Sequence, residues 1–376
     1  MTAQTRWAWT EIDLGALDYN VRAFKKLLKP STQMMAVVKA DAYGHGAERC
    51  ALAALVAGAD RFGVATVREG IALRDAGIEA PIQMLSEPPV EAIKDVLDFD
   101  LIPAVTTEEF LHALSREAML ADKTALYHLK INTGMNRIGF RPSDVAAVAL
   151  RAATLPGIKL EGVFTHFATA DVAGDWDAQD ALNSFEAAVD SLRANQVDPG
   201  IVHCANTAAT IMLPETHFDM VRVGIGLYGL HPSRDTEKLI NLEPVMSVKT
   251  RATLVKPLAM GEGVSYGLTW HAFSRCALAT LPIGYADGLP RRLSNALEFL
   301  VKGKRAQQVG RICMDQCMCE VPASLDIKAG EEFVLVGKQG DEEITLDELA
   351  REVGTINYEL ACLLGSMRLE RIYVGR

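Results

Sequence analysis

The sequence has no long apolar run and no excess of positive charge, and these two absences exclude several classes of protein. Although 49% of the 376 residues are apolar, no run approaches the roughly 18 residues that a membrane-spanning helix needs. The 38 lysines and arginines are outnumbered by 48 acidic residues, which gives a formal charge of −10. Such a charge disfavours binding to the phosphates of a nucleic acid. Residues 1–10 lack the charged and then apolar pattern of a signal peptide.

Cysteine is also scarce. The seven cysteines are an odd number scattered through a long chain, which argues against a disulfide framework and fits a reducing cytoplasm. The apolar fraction is large enough for a sizeable core, and the length predicts two or three domains, or one large barrel with an additional domain. We therefore expect a soluble cytoplasmic enzyme that binds neither nucleic acid nor membrane.

Short apolar runs alternate with helical segments over the first 230 or so residues. The runs lie at residues 34–38, 61–64, 82–85, 101–105, 126–131, 160–165, 201–203 and 220–223. Near-continuous apolar strands separated by helices indicate a parallel sheet that is covered on both faces. Eight such units predict a closed α/β fold, the (β/α)8 TIM-like barrel. An open doubly wound sheet is the alternative, but no G-x-G-x-x-G motif follows the first strand.

The pattern changes after about residue 240. Residues 246–256 alternate, 276–283 form an apolar run, and 309–313, 317–321 and 333–336 are short strand candidates. These features predict a mostly antiparallel β domain. Two helices interrupt this domain. The first begins at the capping box of residues 345–348, and the second covers residues 356–364. A final strand follows at 367–373. We expect residues 1–12 to join this domain as a strand, residues 13–240 to form the barrel, and residues 241–376 to form the β-rich domain.

Polar or charged residues end several of the apolar runs. They are Lys39, Lys130, His166, His203 with Asn206, and Arg222. In a (β/α)8 barrel these strand ends share one rim, where active sites lie. Singly, each has a structural explanation, since a lysine can extend to solvent and a lone histidine is more often a hydrogen-bonded core residue. Together, the basic residues predict an anionic ligand.

The loops after the last two predicted barrel strands offer an anion site. They carry Thr207 and the pair Gly224 and Ile225, whose hydroxyl and backbone N–H groups can bind phosphate. A neutral lysine amine such as that of Lys39 can attack an aldehyde. Because pyridoxal phosphate combines an aldehyde with a phosphate, these residues permit that cofactor without proving it.

Six motifs resemble those of the alanine racemase family. They are AVVKADAYGHG at residues 36–46, NTGMNRIG at 132–139, THFA at 165–168, RVGIGLYG at 222–229, VSYG at 264–267 and GRICMD at 310–315. The resemblance follows the order of the motifs along nearly the whole chain. It implies a pyridoxal-phosphate-dependent enzyme that interconverts L-alanine and D-alanine as a homodimer with shared active sites.

The resemblance also implies two catalytic bases on opposite faces of the cofactor. One is Lys39, which binds the cofactor covalently, and the other is Tyr266 of the partner subunit. Arg222 resembles an arginine that donates to the pyridine nitrogen. Since a guanidinium only donates, that nitrogen would stay unprotonated and be a weaker electron sink than a pyridinium. His166 is implied in the same polar network, with His203 behind Arg222.

The remaining implied roles concern binding. Cofactor contacts are implied for Tyr43, His166, Asn206, Thr207, Gly224, Ile225 and Tyr358, most of them to phosphate. Substrate binding is implied for Arg137, the backbone of Met314, and Lys130, which matches a lysine that is often carbamylated in the family and orients Arg137. Asp171 and Tyr285 resemble residues that line the substrate entrance.

Other readings of the sequence stay open. No metal site is predicted, because Cys313, Cys317 and Cys319 lack the paired C-x2-C spacing of structural zinc sites and alternate as strand residues do. The rival functions are a non-catalytic pyridoxal phosphate carrier, a barrel-type amino-acid decarboxylase, and a racemase for serine, a basic amino acid or a broader range of substrates. A carrier would leave Tyr266 and the β-rich domain without a role.

Overall fold

The chain forms two compact units in the computed structural model, which describes residues 6–321, 325–365 and 368–375. The barrel unit consists of Ala16–Ala42 and Ala47–Glu243, and the β unit consists of the chain up to Gly15, Tyr43–Gly46 and the chain from Pro244 onwards. Among the described residues, no helix combines the length and the apolar character needed to cross a membrane.

The secondary structure alternates in the first part of the chain and is mostly β in the second. The strands are β1 (Ala8–Asp13), β2 (Gln33–Val37), β3 (Arg61–Val64), β4 (Ile82–Met84), β5 (Leu101–Ile102), β6 (Ala104–Val105), β7 (Ala125–Lys130), β8 (Ile158–Phe164), β9 (Ile201–His203), β10 (Met220–Val223), β11 (Met246–Arg251), β12 (Leu254–Leu258), β13 (Gly263–Val264), β14 (Trp270–His271), β15 (Cys276–Leu281), β16 (Glu298–Val301), β17 (Lys304–Gln307), β18 (Cys317–Val321), β19 (Glu332–Gln339), β20 (Glu342–Ile344) and β21 (Glu370–Val374). The helices are α1 (Leu14–Lys25), the short left-handed turn α2 (Lys39–Tyr43), α3 (Ala47–Ala57), α4 (Val67–Asp75), α5 (Ile93–Asp98), α6 (Glu108–Leu120), α7 (Val145–Ala152), α8 (Trp176–Ala194), α9 (Thr207–Met212), α10 (Arg234–Glu237), α11 (Leu346–Val353) and α12 (Asn357–Leu364).

Eight parallel strand positions close the barrel unit. The strands run in the order β10-β2-β3-β4-β5 and β6-β7-β8-β9. β5 and β6 are two halves of one strand, divided at Pro103, which has no N–H to donate to a ladder. The N–H of His128 donates to the carbonyl of Pro103 (3.0 Å), and that of Arg222 donates to the carbonyl of Ala205 (3.0 Å). These bonds link the two strand groups, and the predicted (β/α)8 barrel is confirmed.

Most residues of the barrel strands are buried, as the apolar runs predicted, and the first half of β8 is the partly exposed exception among the described strands. Every residue of β3 and of β10 is buried, including Arg61 and Arg222. Both strands begin and end where the sequence pattern placed them. β9 (Ile201–His203) also coincides with its predicted range. The remaining barrel strands differ from the predicted ranges by a residue or two at their ends, since terminal residues contribute little to an apolar pattern.

The β unit is mostly antiparallel, as predicted. Its larger sheet has the order β17-β16-β19-β11-β1-β21, with β20 pairing with β19. Among the described strands of this unit, β1 and β21 are the one pair that runs parallel. A second sheet has the order β12-β15-β18, and β13 pairs with β14. A small core of Leu258, Val264, Leu278 and Val309 lies in this unit.

Three sequence predictions in the β unit need correction or delimiting. Residues 309–313 form no strand, because Gly310 has a φ of +74° and donates its N–H to the side chain of Asn295 (2.6 Å). Residues 246–256 form two strands in different sheets, β11 and β12, and not one. The final strand begins at Glu370; the predicted start at Met367 lies outside the described residues.

Candidate active site

Lys39 opens a turn of unusual handedness at the end of the first barrel strand. The residues Ala40, Asp41 and Ala42 have φ between 51° and 56° and ψ between 47° and 49°. A left-handed helical turn costs about 1–2 kcal/mol for each non-glycine residue. Glu69 holds the turn by accepting from the N–H of Ala40 (2.7 Å). Backbone strain of this kind concentrates at functional sites.

Arg222 makes four hydrogen bonds, three of them buried and one, to His166, partly buried. Its Nη1 donates to Nδ1 of His203 (3.0 Å), and its Nη2 reaches Nδ1 of His166 (3.0 Å). Nη2 also donates to the carbonyls of Thr165 (2.8 Å) and Cys204 (2.9 Å). None of these partners is a carboxylate. Burial therefore lowers the pKa of Arg222 to about 10.

The predicted cationic residues of the barrel rim are close enough to perturb one another. Burial lowers the pKa of His166 well below its ordinary value, and positive side chains lower it further. Those side chains are Arg222, Lys130, Arg137 and Lys39. The structure thus brings together five of the residues that the sequence placed at the rim or at the substrate. Basic side chains gathered in this way suit an anionic ligand.

Lys130 is the most isolated of these cations. Its side-chain nitrogen is buried, and no described residue hydrogen-bonds to it. Burial lowers its pKa well below the ordinary value, and the charges of Arg222 and Arg137 add to the effect. A cavity beside it is also lined by Arg137, Thr165 and His166.

The two loops predicted to bind phosphate lie side by side. The N–H of Gly224 donates to Oγ1 of Thr207 (2.9 Å), which leaves the proton of that hydroxyl available to an anion. The side chain of Asn206 is already used, since its Oδ1 caps α9 by accepting from the N–H of Ala209 (2.9 Å). The structure therefore gives Asn206 a structural task, and its cofactor contact stays a prediction.

The β unit holds the other predicted site residues in two places. The rings of Tyr43 and Tyr358 are neighbours, with 6.1 Å between their centres, and burial raises the pKa of Tyr43. Tyr266 and Met314 line one open cavity of about 520 Å³. They are 71% and 53% exposed, so both side chains are available to a further chain. Tyr285 is also exposed.

Sequence reasoning missed a group of polar residues inside the barrel. His128 of β7 bonds to His203 on one side and to Glu161 on the other, and Glu161 pairs with Arg61. The available signal was polar side chains in strands that are otherwise buried.

The cysteine prediction is partly wrong. Cys317 and Cys319 are buried strand residues of β18, but Cys313 lies in the irregular segment that contains Gly310. Among the described residues, no group of histidine, cysteine, aspartate and glutamate side chains is arranged to hold a metal ion.

Comparison with known proteins decides the family. A family model described as "Alanine racemase, N-terminal domain" matches residues 12–232, and one described as "Alanine racemase, C-terminal domain" matches residues 245–373. The chain belongs to the alanine racemase family. The family's member from Symbiobacterium thermophilum, named alanine racemase, is 45% identical over 370 residues, which is 98% of each chain.

Solved structures agree with this family assignment. The crystal structure of alanine racemase from Bacillus anthracis with bound L-Ala-P has a TM-score of 0.92 and 38% identity, covering 99% of this chain and 96% of that one. A histidine racemase from Leuconostoc mesenteroides subsp. sake has a TM-score of 0.91 and 31% identity, covering 99% of both chains. The resemblance that the motifs indicated is confirmed, and the fold is shared with a racemase of another amino acid.

Proposed function

We propose that this protein is a pyridoxal-phosphate-dependent racemase that interconverts L-alanine and D-alanine in a homodimer with shared active sites. Membership of the alanine racemase family supports the reaction class. The observation that carries the proposal is the surroundings of Arg222, a buried guanidinium with two imidazoles and two carbonyls as partners and no carboxylate among them. A cytoplasmic location belongs to the proposal and is supported by cysteine usage alone.

The donor set of the barrel unit fits pyridoxal phosphate. When bound, this group supplies an aldehyde carbon that reacts with amines and a conjugated ring that delocalises the charge left on the substrate α-carbon. Lys39 would hold the aldehyde carbon through its amine. Thr207, with the backbone N–H groups of Gly224 and Ile225, would hold the phosphate. Tyr43 and Tyr358 are proposed as further phosphate contacts on the strength of the family resemblance.

Arg222 would donate a hydrogen bond to the ring nitrogen. A guanidinium has five N–H donors. Among the described residues, Nη1 donates to His203 alone and Nε has no hydrogen-bond partner, so the second N–H of Nη1 and that of Nε can donate to a ligand. Because arginine does not give up its proton, it orients the ring without protonating it, which keeps electron withdrawal moderate.

Two bases would move the α-proton. Nζ of Lys39 would accept or return it on one face, and Oη of Tyr266 of the partner subunit on the other. The cavity beside Tyr266 supports this division, because the described residues of its lining, which include Met314 and Asp315, contain no cationic side chain. A surface of this kind is better suited to completing the active site of a second subunit than to binding an anionic ligand alone.

Arg137 and the backbone of Met314 of the partner subunit are proposed to bind the substrate carboxylate. Arginine presents a planar fork that matches a carboxylate. Lys130 would orient Arg137 after carbamylation, which converts its neutral amine into an anion. Burial lowers the pKa of Lys130 well below its ordinary value, which favours the neutral amine that this step needs.

Chiral analysis of alanine together with reductive trapping tests the proposal. Purified protein supplied with pyridoxal phosphate should convert each alanine isomer to an equal mixture, and borohydride should leave the reduced cofactor on the peptide that contains Lys39. Lys39→Ala should abolish both results. Protein that stays colourless and forms no adduct on Lys39 contradicts the proposal.

A racemase for a different or broader set of amino acids is the second candidate. It is favoured by the likeness to a histidine racemase, which shares the fold over 99% of both chains. A panel of L-amino acids, including serine and histidine, separates the two, since preference depends on a few pocket atoms. A trapped cofactor without racemisation of any amino acid would instead identify a carrier, and release of carbon dioxide a decarboxylase.

A further inference from the structure

A continuous hydrogen-bonded chain crosses the barrel interior from Arg222. It runs from Arg222 Nη1 to His203 (3.0 Å), from His203 Nε2 to His128 Nδ1 (2.9 Å), from His128 Nε2 to Glu161 Oε2 (2.8 Å), and from Glu161 to Arg61 Nη2 (2.8 Å). Both histidines are fully buried, and the two arginines are 3% exposed. We call these five residues the buried polar chain.

The two ends of the buried polar chain determine its direction. Arg222 can only donate, so Nδ1 of His203 accepts and its proton lies on Nε2. His203 then donates to Nδ1 of His128, whose own proton lies on Nε2 and goes to Glu161. An ionised carboxylate can only accept. The donor-only and acceptor-only ends therefore require the same tautomer of both imidazoles.

The local backbone is built to accommodate His128. Tyr127 pairs with Leu160 while His128 pairs with Gly162, so the register of β7 and β8 shifts and Glu161 is the extra residue. Bulges of this kind redirect a side chain. Gly162 has no Cβ, and a Cβ there would lie 2.5 Å from Cε1 of the His128 ring. The strand thus deviates from regular pairing where it delivers Glu161 to His128.

The charge states of the residues in the buried polar chain agree with this order of hydrogen bonds. Burial lowers the pKa of His128 and lowers that of His203 even further, so both imidazoles stay neutral. Burial raises the pKa of Glu161, but the hydrogen bond from His128 and the charge of Arg61 outweigh that effect, and the net shift is downward. Glu161 is thus a carboxylate connected to the guanidinium of Arg222 through the hydrogen bonds of two imidazoles. Hydrogen bonds in such a series polarise one another.

We propose that His128, Glu161 and Arg61 are positioning residues for Arg222, which hold His203 in its Nε2–H tautomer and thereby fix the guanidinium that faces the cofactor ring nitrogen. The proposal rests on the proposed function for the role of Arg222 towards the cofactor. The order of the hydrogen bonds does not depend on that function. None of the three residues is proposed to touch substrate or cofactor.

Histidine-selective 15N NMR of the full-length protein, with and without added pyridoxal phosphate, tests the order of the bonds. We expect the signals of His128 and His203 to show a proton on Nε2 and none on Nδ1. Glu161→Gln replaces an acceptor by an amide that both donates and accepts, so His128 should lose its single tautomer and the His203 signal should change. A proton on Nδ1 of either ring in the wild-type protein overturns the proposal.

Kinetics separates positioning from simple destabilisation. In Glu161→Gln we expect kcat for alanine to fall by roughly 10-fold, the lower end of what loss of a supporting residue costs, with little change in KM. Glu161→Asp keeps the charge and should recover part of the loss. Ser115→Ala is the matched control, because it removes a different buried hydrogen bond of the barrel unit, that to the Pro156 carbonyl, and should leave kcat unchanged.

The remaining outcomes are distinct. If Glu161→Gln loses thermal stability as Ser115→Ala does and keeps its kcat within about twofold, the buried polar chain is only structural and the proposal is wrong. If the wild-type protein shows the stated tautomers but racemises no amino acid, the proposed function fails, and the role towards the cofactor fails with it. The stated tautomers together with the kcat loss support the proposal.

Discussion

The side-chain nitrogen of Lys130 lies 4.5 Å from the centre of the Phe164 ring, and no described residue hydrogen-bonds to it. A ring face attracts a cation, but it does not replace the water that a buried ammonium loses. Burial therefore lowers the pKa of Lys130 strongly, and the amine becomes a nucleophile. This is the condition under which a lysine adds carbon dioxide.

Carbamylation of Lys130 is the first prediction. The nitrogen forms a bond to the carbon of CO2 and releases one proton, leaving a carbamate anion beside Arg137. Protein in 13C-labelled bicarbonate should show a 13C NMR signal from the carbamate carbon. Lys130→Met should remove that signal. Lys249→Met is the control, since Lys249 is already paired with Glu11, and a signal that persists in Lys130→Met contradicts the assignment.

Tyr266→Phe is the second prediction. Because Tyr266 is 71% exposed, loss of its hydroxyl should change the free energy of unfolding by less than about 0.5 kcal/mol. Loss of a general acid or base typically slows a step by about 100- to 10,000-fold, so conversion of L-alanine should slow by that factor while cofactor binding is kept. Exchange of the α-proton of L-alanine for solvent deuterium measures the rate of this step. Tyr19→Phe, on the exterior of α1, is the control, and an unchanged rate for L-alanine in Tyr266→Phe contradicts the two-base mechanism.

Arg222→Lys is the third prediction. A single ammonium cannot serve the four acceptors that Arg222 serves. An unsatisfied buried group costs about 1–3 kcal/mol, so urea unfolding should show a loss of at least that size, and racemisation should fall at least tenfold, as expected when a supporting hydrogen bond is lost. Arg151→Lys, which alters an exposed ion pair with Glu108, should change neither. Full activity in Arg222→Lys would refute a need for the guanidinium.

Much of the fold and of the rim was predictable from the sequence. Strands β3 and β10 coincide with apolar runs, since a strand buried on both faces tolerates few polar residues. Once the barrel was predicted, geometry alone put Lys39, His166 and Arg222 on one rim, because the carboxyl ends of parallel strands meet there. Their roles, in contrast, came from the family resemblance.

The features that were not predictable depend on contacts between distant segments. The left-handed turn at Ala40 contains no glycine until Gly44 and depends on Glu69, which is 29 residues away. The bulge at Glu161 shifts the register of β7 and β8 by one residue, which the apolar pattern of a single strand does not reveal. The failed strand at residues 309–313 shows the same limit, since the positive φ of Gly310 outweighs a favourable composition.

Loss of stability in mild acid is the fourth prediction. Burial lowers the pKa of His128, His166 and His203, whereas in the unfolded chain a histidine titrates near 6.5. Below about pH 6.5 the unfolded chain therefore binds protons that the native chain does not, so the free energy of unfolding falls as the pH falls. Each histidine contributes about 1.4 kcal/mol per pH unit until its native pKa is reached.

The variant His128→Gln isolates one of these contributions. Lys130 also has a lowered pKa, which changes the free energy of unfolding with pH in the same direction. The charges of Arg222, Arg61 and Glu161 also surround the histidines. The contribution of His128 must therefore be measured as a difference between the variant and the wild type. Below about pH 6.5, urea unfolding should show a slope that is smaller in His128→Gln than in the wild type, by up to about 1.4 kcal/mol per pH unit. Ser115→Ala, which removes a buried hydrogen bond but no titrating group, should lower stability equally at every pH. If His128→Gln keeps the wild-type slope, the native pKa of His128 is not lowered and this prediction is wrong.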